Sequence, residues 1–223
     1  QAFLGFLQTL PLSPAAWFLQ TVALPSGRRW SPPSDKVTHA GRGERFGSDK
    51  REALIGDTPM LLHTVQQYAP LATPILVVAS PTLSAGLRQQ VQQWAEVIVL
   101  PERAHPDQAA GMGDSLALGV QQAHGNGWDA ALIALGDMPW VRHGTLNQIN
   151  RALQTNRAVV PVFNGRWGHP VGFQRDHFAA FESLRGERGG RAILTGIAPR
   201  EIPVTDPGVI LDVDTPDQLN LHH

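Results

Sequence analysis

The chain has 223 residues, and its 18 Lys and Arg nearly balance its 19 Asp and Glu, leaving a formal net charge of -1. That balance offers no basic surface for DNA or RNA, and the length suits a domain with a sizeable buried core. Cysteine is absent, which rules out disulfides and thiolate metal sites, whereas nine histidines keep imidazole ligands open.

The first 35 residues differ from the rest. Phe3, Leu4, Phe6, Leu7, Trp17, Phe18 and Leu19 make them apolar, yet Pro11, Pro14 and Pro25 break every run well short of a membrane span. No lysine or arginine precedes Arg28, so the charged opening of a secretory signal is missing, and the chain opens on Gln1 as a trimmed or incomplete start would. Residues 1–35 read as an N-terminal apolar extension of uncertain structure, and 36–223 as the domain proper. The expectation is a cytoplasmic protein that binds neither membrane nor nucleic acid.

Next comes Ala40–Lys50, which packs three glycines, two arginines and a lysine into eleven residues. Glycine lets backbone N–H groups converge on an anion, and cationic side chains neutralise what the amides hold, so phosphate is the expected guest. A Walker A loop needs Gly-Lys-Ser/Thr, and a dinucleotide fingerprint needs glycine where Phe46 stands; neither is present. A solvated surface loop is the plainer alternative.

Beyond it, short apolar runs alternate with segments of helical period. Runs at 74–79, 96–100, 130–135 and 158–163 read as strands covered on both faces. Val209–Leu211 reads as a further strand. Thr58-Pro59 suits a helix start leading into Met60, Leu61, Thr64, Val65 and Tyr68. Met112, Leu116, Val120 and Ala123 recur at helical spacing, as do Leu146, Ile149 and Leu153. Thr215-Pro216 precedes a short terminal helix. This alternation predicts a three-layer α/β domain with a mostly parallel sheet, whose ligands sit outside the carboxyl ends of the strands.

Several motifs fall at such ends. Gly136-Asp137-Met138-Pro139 sets one carboxylate at the exit of the 130–135 strand, where it is either a metal ligand or a turn former. Asp212 and Asp214, two residues apart, project from one face if the chain is extended; two carboxylates so close repel unless a cation joins them. Magnesium, with few protein ligands and several waters, fits Asp137 plus one of this pair, although either aspartate could simply cap the following helix. Gly111-Met112-Gly113-Asp114-Ser115 opens a helix and could hold a base or ribose through Ser115, or merely cap it. Asn164–Pro170 combines Arg166, Trp167 and His169, suited to a planar anionic ligand, and Arg185–Arg191 is a basic, glycine-rich turn.

Taken in order, these segments resemble the molybdenum cofactor nucleotidyltransferases, most closely the cytidylyltransferase branch. The likeness runs from about Thr38 to Leu219 through Ala40–Lys50, Gly56–Leu61, Gly111–Leu116, Gly136–Pro139, Gly168-His169-Pro170 and Asp212–Pro216. Thr38-His39-Ala40-Gly41 and the Gly-His-Pro motif favour the cytidylyl branch over the guanylyl one. Two features depart from the pattern: Asp35–His39 is poor strand material, and His39 replaces the usual alanine.

The resemblance implies a Rossmann-like nucleotidyltransferase fold and transfer of CMP from CTP to the phosphate of a molybdopterin-type acceptor, with pyrophosphate released. It implies that Ala40, Gly41, Arg42, Gly43 and Lys50 bind the nucleotide together with Gly111, Ser115 and Asp137. Lys50, Arg45 and Asp137 would be catalytic, and Asp137 and Asp214 would hold Mg2+. His169, Arg188 and Arg191 would face the acceptor. Two rival readings stand beside this one. The first is transfer to a sugar or polyol phosphate. The second is a non-catalytic accessory protein that hands a nucleotide or pterin to a molybdoenzyme or its maturation factor.

Overall fold

A computed structural model describes residues 16–20, 49–71, 73–101, 111–186, 189–215 and 218–219. In chain order the strands are β1 (Ala16–Gln20), β2 (Leu54–Ile55), β3 (Thr58–Pro59), β4 (Ile75–Ala79), β5 (Glu96–Val99), β6 (Ala130–Leu135), β7 (Ala158–Phe163), β8 (Arg166–Trp167), β9 (Val171–Gln174) and β10 (Arg200–Pro203). The helices are α1 (Met60–Tyr68), α2 (Ala85–Val91), α3 (Met112–Gly125), α4 (His143–Leu153), α5 (Phe178–Glu182) and α6 (Arg191–Ile197).

The main sheet runs β10-β7-β9-β6-β1-β4-β5, with β8 added to β7. Pairings around β1 and β4, and that of β10 with β7, are parallel; β9 lies antiparallel between β6 and β7. The sheet is thus mostly parallel, as the apolar runs predict, and the β4 and β6 runs are almost wholly buried.

Period-two alternation assigns the two faces. Ile75, Val77 and Ala79 of β4 join Leu132 and Ala134 of β6 under α1, α2 and α4. Leu76, Val78, Ala131 and Ile133 point the other way, against α3, α5 and α6. Truncating one such side chain, Leu132 for instance, costs about 2–5 kcal/mol through lost transfer energy and a cavity.

Several sequence expectations need correction. Residues 16–20, assigned above to an extension outside the domain, form the strand between β4 and β6, with Leu19 registered against Val77 and Ala134. The central place in a doubly covered sheet goes to an apolar run, and Ala16-Trp17-Phe18-Leu19-Gln20 is one where Asp35–His39 is not. Val37 and Thr38 lie outside the described residues. Thr58 does not cap α1: it pairs with Ile55 in a short hairpin, and the Met60 N–H goes to the Ala53 carbonyl at 2.8 Å. Val209–Leu211 is no strand; Pro207–Ile210 turns as a 3-10 helix instead, because Asp206-Pro207-Gly208 starts a tight turn, with the Asp206 side chain accepting the Gly208 N–H.

Candidate active site

β6 delivers Asp137 two residues past its end. The Thr64 hydroxyl of α1 lies 2.9 and 3.1 Å from the carbonyls of Met60 and Gly136, which share its single proton, and so ties the start of this turn to the core. The Asp137 carbonyl accepts the Val213 N–H at 2.9 Å, so the turn is also stitched to the 212–214 segment.

Lys50 arrives from the opposite side on a 3-10 turn, Lys50–Glu52. Asp49 holds that turn by accepting the Arg51 N–H at 3.1 Å and both arms of the Arg51 guanidinium, which also reaches Thr82. Burial alone raises the Asp49 carboxyl, but Arg51 outweighs it and the net shift is downward. Lys50 Nζ then donates to Asp137 Oδ2 at 2.7 Å and to the Val213 carbonyl at 3.3 Å, and stands 4.0 Å from Asp214 Oδ1. Burial draws the ammonium pKa down, yet Asp137, Asp214 and Asp212 more than reverse this and hold it above its ordinary value.

Asp212, Val213 and Asp214 alternate as an extended chain should. Val213 is fully buried against Ile55, Met60 and Leu219, while both aspartates keep contact with solvent. Asp212 is pushed up by burial and then by the like charges of Asp214 and Asp137. Behind them the Gln218 side-chain oxygen accepts the N–H groups of Asp214 at 2.6 Å and Thr215 at 2.9 Å.

Three carboxylates around one ammonium leave surplus negative charge, which adds to the larger effect of burial in raising Asp212. A hard divalent cation on Asp137 and Asp214 would relieve it. Among the described residues no three His, Cys, Asp or Glu side chains are gathered closely enough to cage a metal. An ion here would therefore complete its shell with water and phosphate oxygens, the habit of magnesium.

His169 flanks the cluster. Its N–H donates to the Val209 carbonyl at 2.7 Å, and Gly168 abuts that carbonyl so closely that a Cβ would collide with it. Burial lowers the imidazole pKa more than the Ile133 carbonyl and Asp137 raise it, so the ring is neutral at pH 7. Nδ1 lies 3.5 Å from the Ile133 carbonyl, which can only accept; the tautomer protonated on Nδ1 would donate to it and leave Nε2 as an acceptor.

The start of α3 is built differently from expectation. Ser115 is fully buried, with its hydroxyl 3.4 Å from the Gly111 carbonyl, so a ligand reaching it must displace that bond. The Gly111 N–H is occupied by Asp114, whose Oδ2 accepts it at 3.0 Å and also accepts the Gly186 N–H at 3.0 Å. Asp114 thereby pins the 184–186 loop to the helix. Arg191 opens α6 with its side chain exposed. Ala40, Gly41, Arg42, Gly43, Arg45 and Arg188 lie outside the described residues.

Sequence reasoning missed Thr64, the double use of Asp114, and Asp206. For Asp206 a signal existed, since Asp-Pro-Gly marks a turn; nothing in it tells that the turn packs on the 137–142 loop.

A mostly parallel sheet with a carboxylate at the exit of β6 fits a Rossmann-like nucleotidyltransferase fold, and solved structures agree. Rv0371c from Mycobacterium tuberculosis H37Rv superposes with a TM-score of 0.68 at 22% identity, covering 93% of this chain and 97% of that one. The Rv0371c complex with manganese gives 0.62 at 19% identity over 86% and 89%. The family of the MobA-like NTP transferase domain matches residues 37–202, and the chain belongs to that family.

Over 197 residues it is 27% identical to the molybdenum cofactor guanylyltransferase of Cupriavidus metallidurans, covering 83% of this chain and 92% of that protein. Over 118 residues it is 30% identical to the purine catabolism protein PucB of Bacillus subtilis, covering 52% of this chain and 57% of PucB. The matched region is thus little more than half of PucB's length. Among the described residues no helix is long and apolar enough to cross a membrane.

Proposed function

We propose that this nucleotidyltransferase moves CMP from CTP onto the phosphate of a molybdopterin-type acceptor in the cytoplasm and releases pyrophosphate. The observation that carries the reading is Lys50 held between Asp137 and Asp214 just past the end of β6. The family supplies the transferase class. The cytidylyl branch rests on Thr38–Gly41 and on the Gly-His-Pro motif at 168–170.

The acceptor phosphate is already anionic, so its attack on the α-phosphorus needs no general base; alignment and charge stabilisation supply most of the rate. Ala40–Gly43 and the 111–115 turn would seat the triphosphate and base. Lys50, freed from Asp137 as the triphosphate arrives, would offset charge on the departing pyrophosphate together with Arg45. A divalent cation on Asp137 and Asp214, for which Mg2+ suits the all-oxygen donor set, would supply charge neutralisation on the phosphate oxygens when bound. The neutral His169 would accept a hydrogen bond from an acceptor N–H through Nε2, beside Arg188 and Arg191.

A second reading, GMP transfer from GTP, is favoured by the likeness to the guanylyltransferase over most of both chains. Incubation with each triphosphate, Mg2+ and molybdopterin, read by mass spectrometry, separates the two. The expected product is the cytidine dinucleotide. A guanosine product moves the assignment to the other branch; no product with any triphosphate, beside tight ligand binding, makes the protein a carrier.

A further inference from the structure

One buried carboxylate next to the site has no part in that chemistry. Asp206 is 2% exposed, and a carboxylate so far from water is costly unless donors meet it. Its Oδ2 accepts the Arg142 N–H at 2.8 Å, its Oδ1 accepts the Gly208 N–H at 2.9 Å, and Arg142 Nε stands 3.9 Å away. Arg142 closes the loop that begins at Asp137. Gly208 belongs to the segment that ends at Asp214.

That segment, 206–214, has no ladder to set its register. It makes the 3-10 turn Pro207–Ile210 and then runs extended outside both sheets. Other contacts hold it like a strap. Gly208 lies against the Trp140 carbonyl, where any Cβ would collide. The Val209 carbonyl takes the His169 N–H at 2.7 Å, and the Val213 N–H reaches the Asp137 carbonyl at 2.9 Å. Asp206 is where the strap begins and where both loops share one anion.

We propose that Asp206 is a positioning residue: its carboxylate locks the 137–142 loop to the 206–214 strap and so sets the separation of Asp137 from Asp214. The proposal rests on the transferase reading, since that chemistry is what requires the two carboxylates to share a cation.

Asp206→Asn keeps size but turns an amide N–H toward one of the two backbone donors, so one bond is lost and two donors face each other. Mn2+ binding to the full chain, followed by electron paramagnetic resonance without nucleotide, should weaken about tenfold or more, the usual cost of disturbing a group behind a metal ligand. The kcat should fall in parallel, with the KM for nucleotide changed by no more than about twofold. Ile149→Val, on the buried face of α4, provides the control: it lowers Tm and leaves Mn2+ affinity unchanged.

Should Asp206→Asn fail to fold, Arg142→Pro removes the N–H at a φ of -71° that proline accepts, and the guanidinium 3.9 Å from Asp206 with it. The same loss of Mn2+ affinity is expected, while Arg142→Ala, which takes the guanidinium only, should keep most of that affinity. A folded Asp206 variant, or Arg142→Pro, that binds Mn2+ like the wild type overturns the role of Asp206 while the transferase reading stands. A wild-type protein that neither binds Mn2+ nor releases pyrophosphate overturns the transferase reading itself.

Discussion

Asp137 and Asp214 meet at one ammonium but reach it by different routes. Asp137 follows a strand laddered on both sides, to β1 and β9, so its place is set by the sheet. Asp214 ends a strap that pairs with no strand and depends on Asp206, Gly208 and the Val209 carbonyl. A residue on a ladder inherits precision from many bonds, whereas one on a strap inherits it from a few. The first should tolerate distant damage, and the second should not.

Charge removal at the two aspartates probes the proposed shared cation most directly. Asp137→Asn should cut turnover by about 1,000-fold or more with the fold intact, because the carboxylate on the ladder has no substitute. Asp214→Asn should cost less, about 100-fold, since Asp212 stands two residues away. Pyrophosphate release and circular dichroism together check both, and near-normal turnover in Asp137→Asn would remove the basis for the mechanism.

The strap can be strained without touching a charge. Gly208→Ala drives a methyl into the Trp140 carbonyl and should cost about 1–3 kcal/mol, a fall in Tm of about 2–10 °C. The same substitution at Gly144 in α4, where a Cβ meets nothing within 4 Å, should be neutral or raise Tm slightly. Equal losses at both glycines in calorimetry would erase the distinction between strap and regular element.

The smallest effect is electrostatic. Asp212 has a folded pKa above its unfolded value, so the folded state binds the extra proton, and stability rises as pH falls through that folded pKa. Above it, the ionised Asp212 repels Asp214 and Asp137. Asp212→Asn should then raise Tm by about 1–2 °C at pH 7–8, with the gain vanishing in acid; solvent around the side chain keeps it small. A loss of Tm at neutral pH would mean that Asp212 is paired there instead of crowded.

Legibility followed the same division. The runs at β4, β6 and β7 and the helical stripes of α1, α3 and α4 could be read because burial on both faces or one stripe imposes a period that composition must satisfy. By contrast β5, also expected to be covered on both faces, is an edge strand left partly exposed. β9 could not: it has four residues with Gly172 among them, and its antiparallel place depends on neighbours distant in sequence. β1 was assigned to the wrong region because its run sits among prolines that look like a leader. Asp137 was visible as a carboxylate at a strand exit, but Asp206 looked like turn punctuation.

From the amino acids alone came the α/β class, most of the buried strands, and Asp137 as a carboxylate at a strand exit. Those features depend on local period and on residue chemistry at strand ends, both of which are written along the chain. Tertiary structure decided that Ala16–Gln20 completes the sheet, that Lys50 bridges the two carboxylates, and that Asp206 binds two loops at once. Each of these joins segments far apart in sequence, where only the folded backbone brings donor and acceptor within reach.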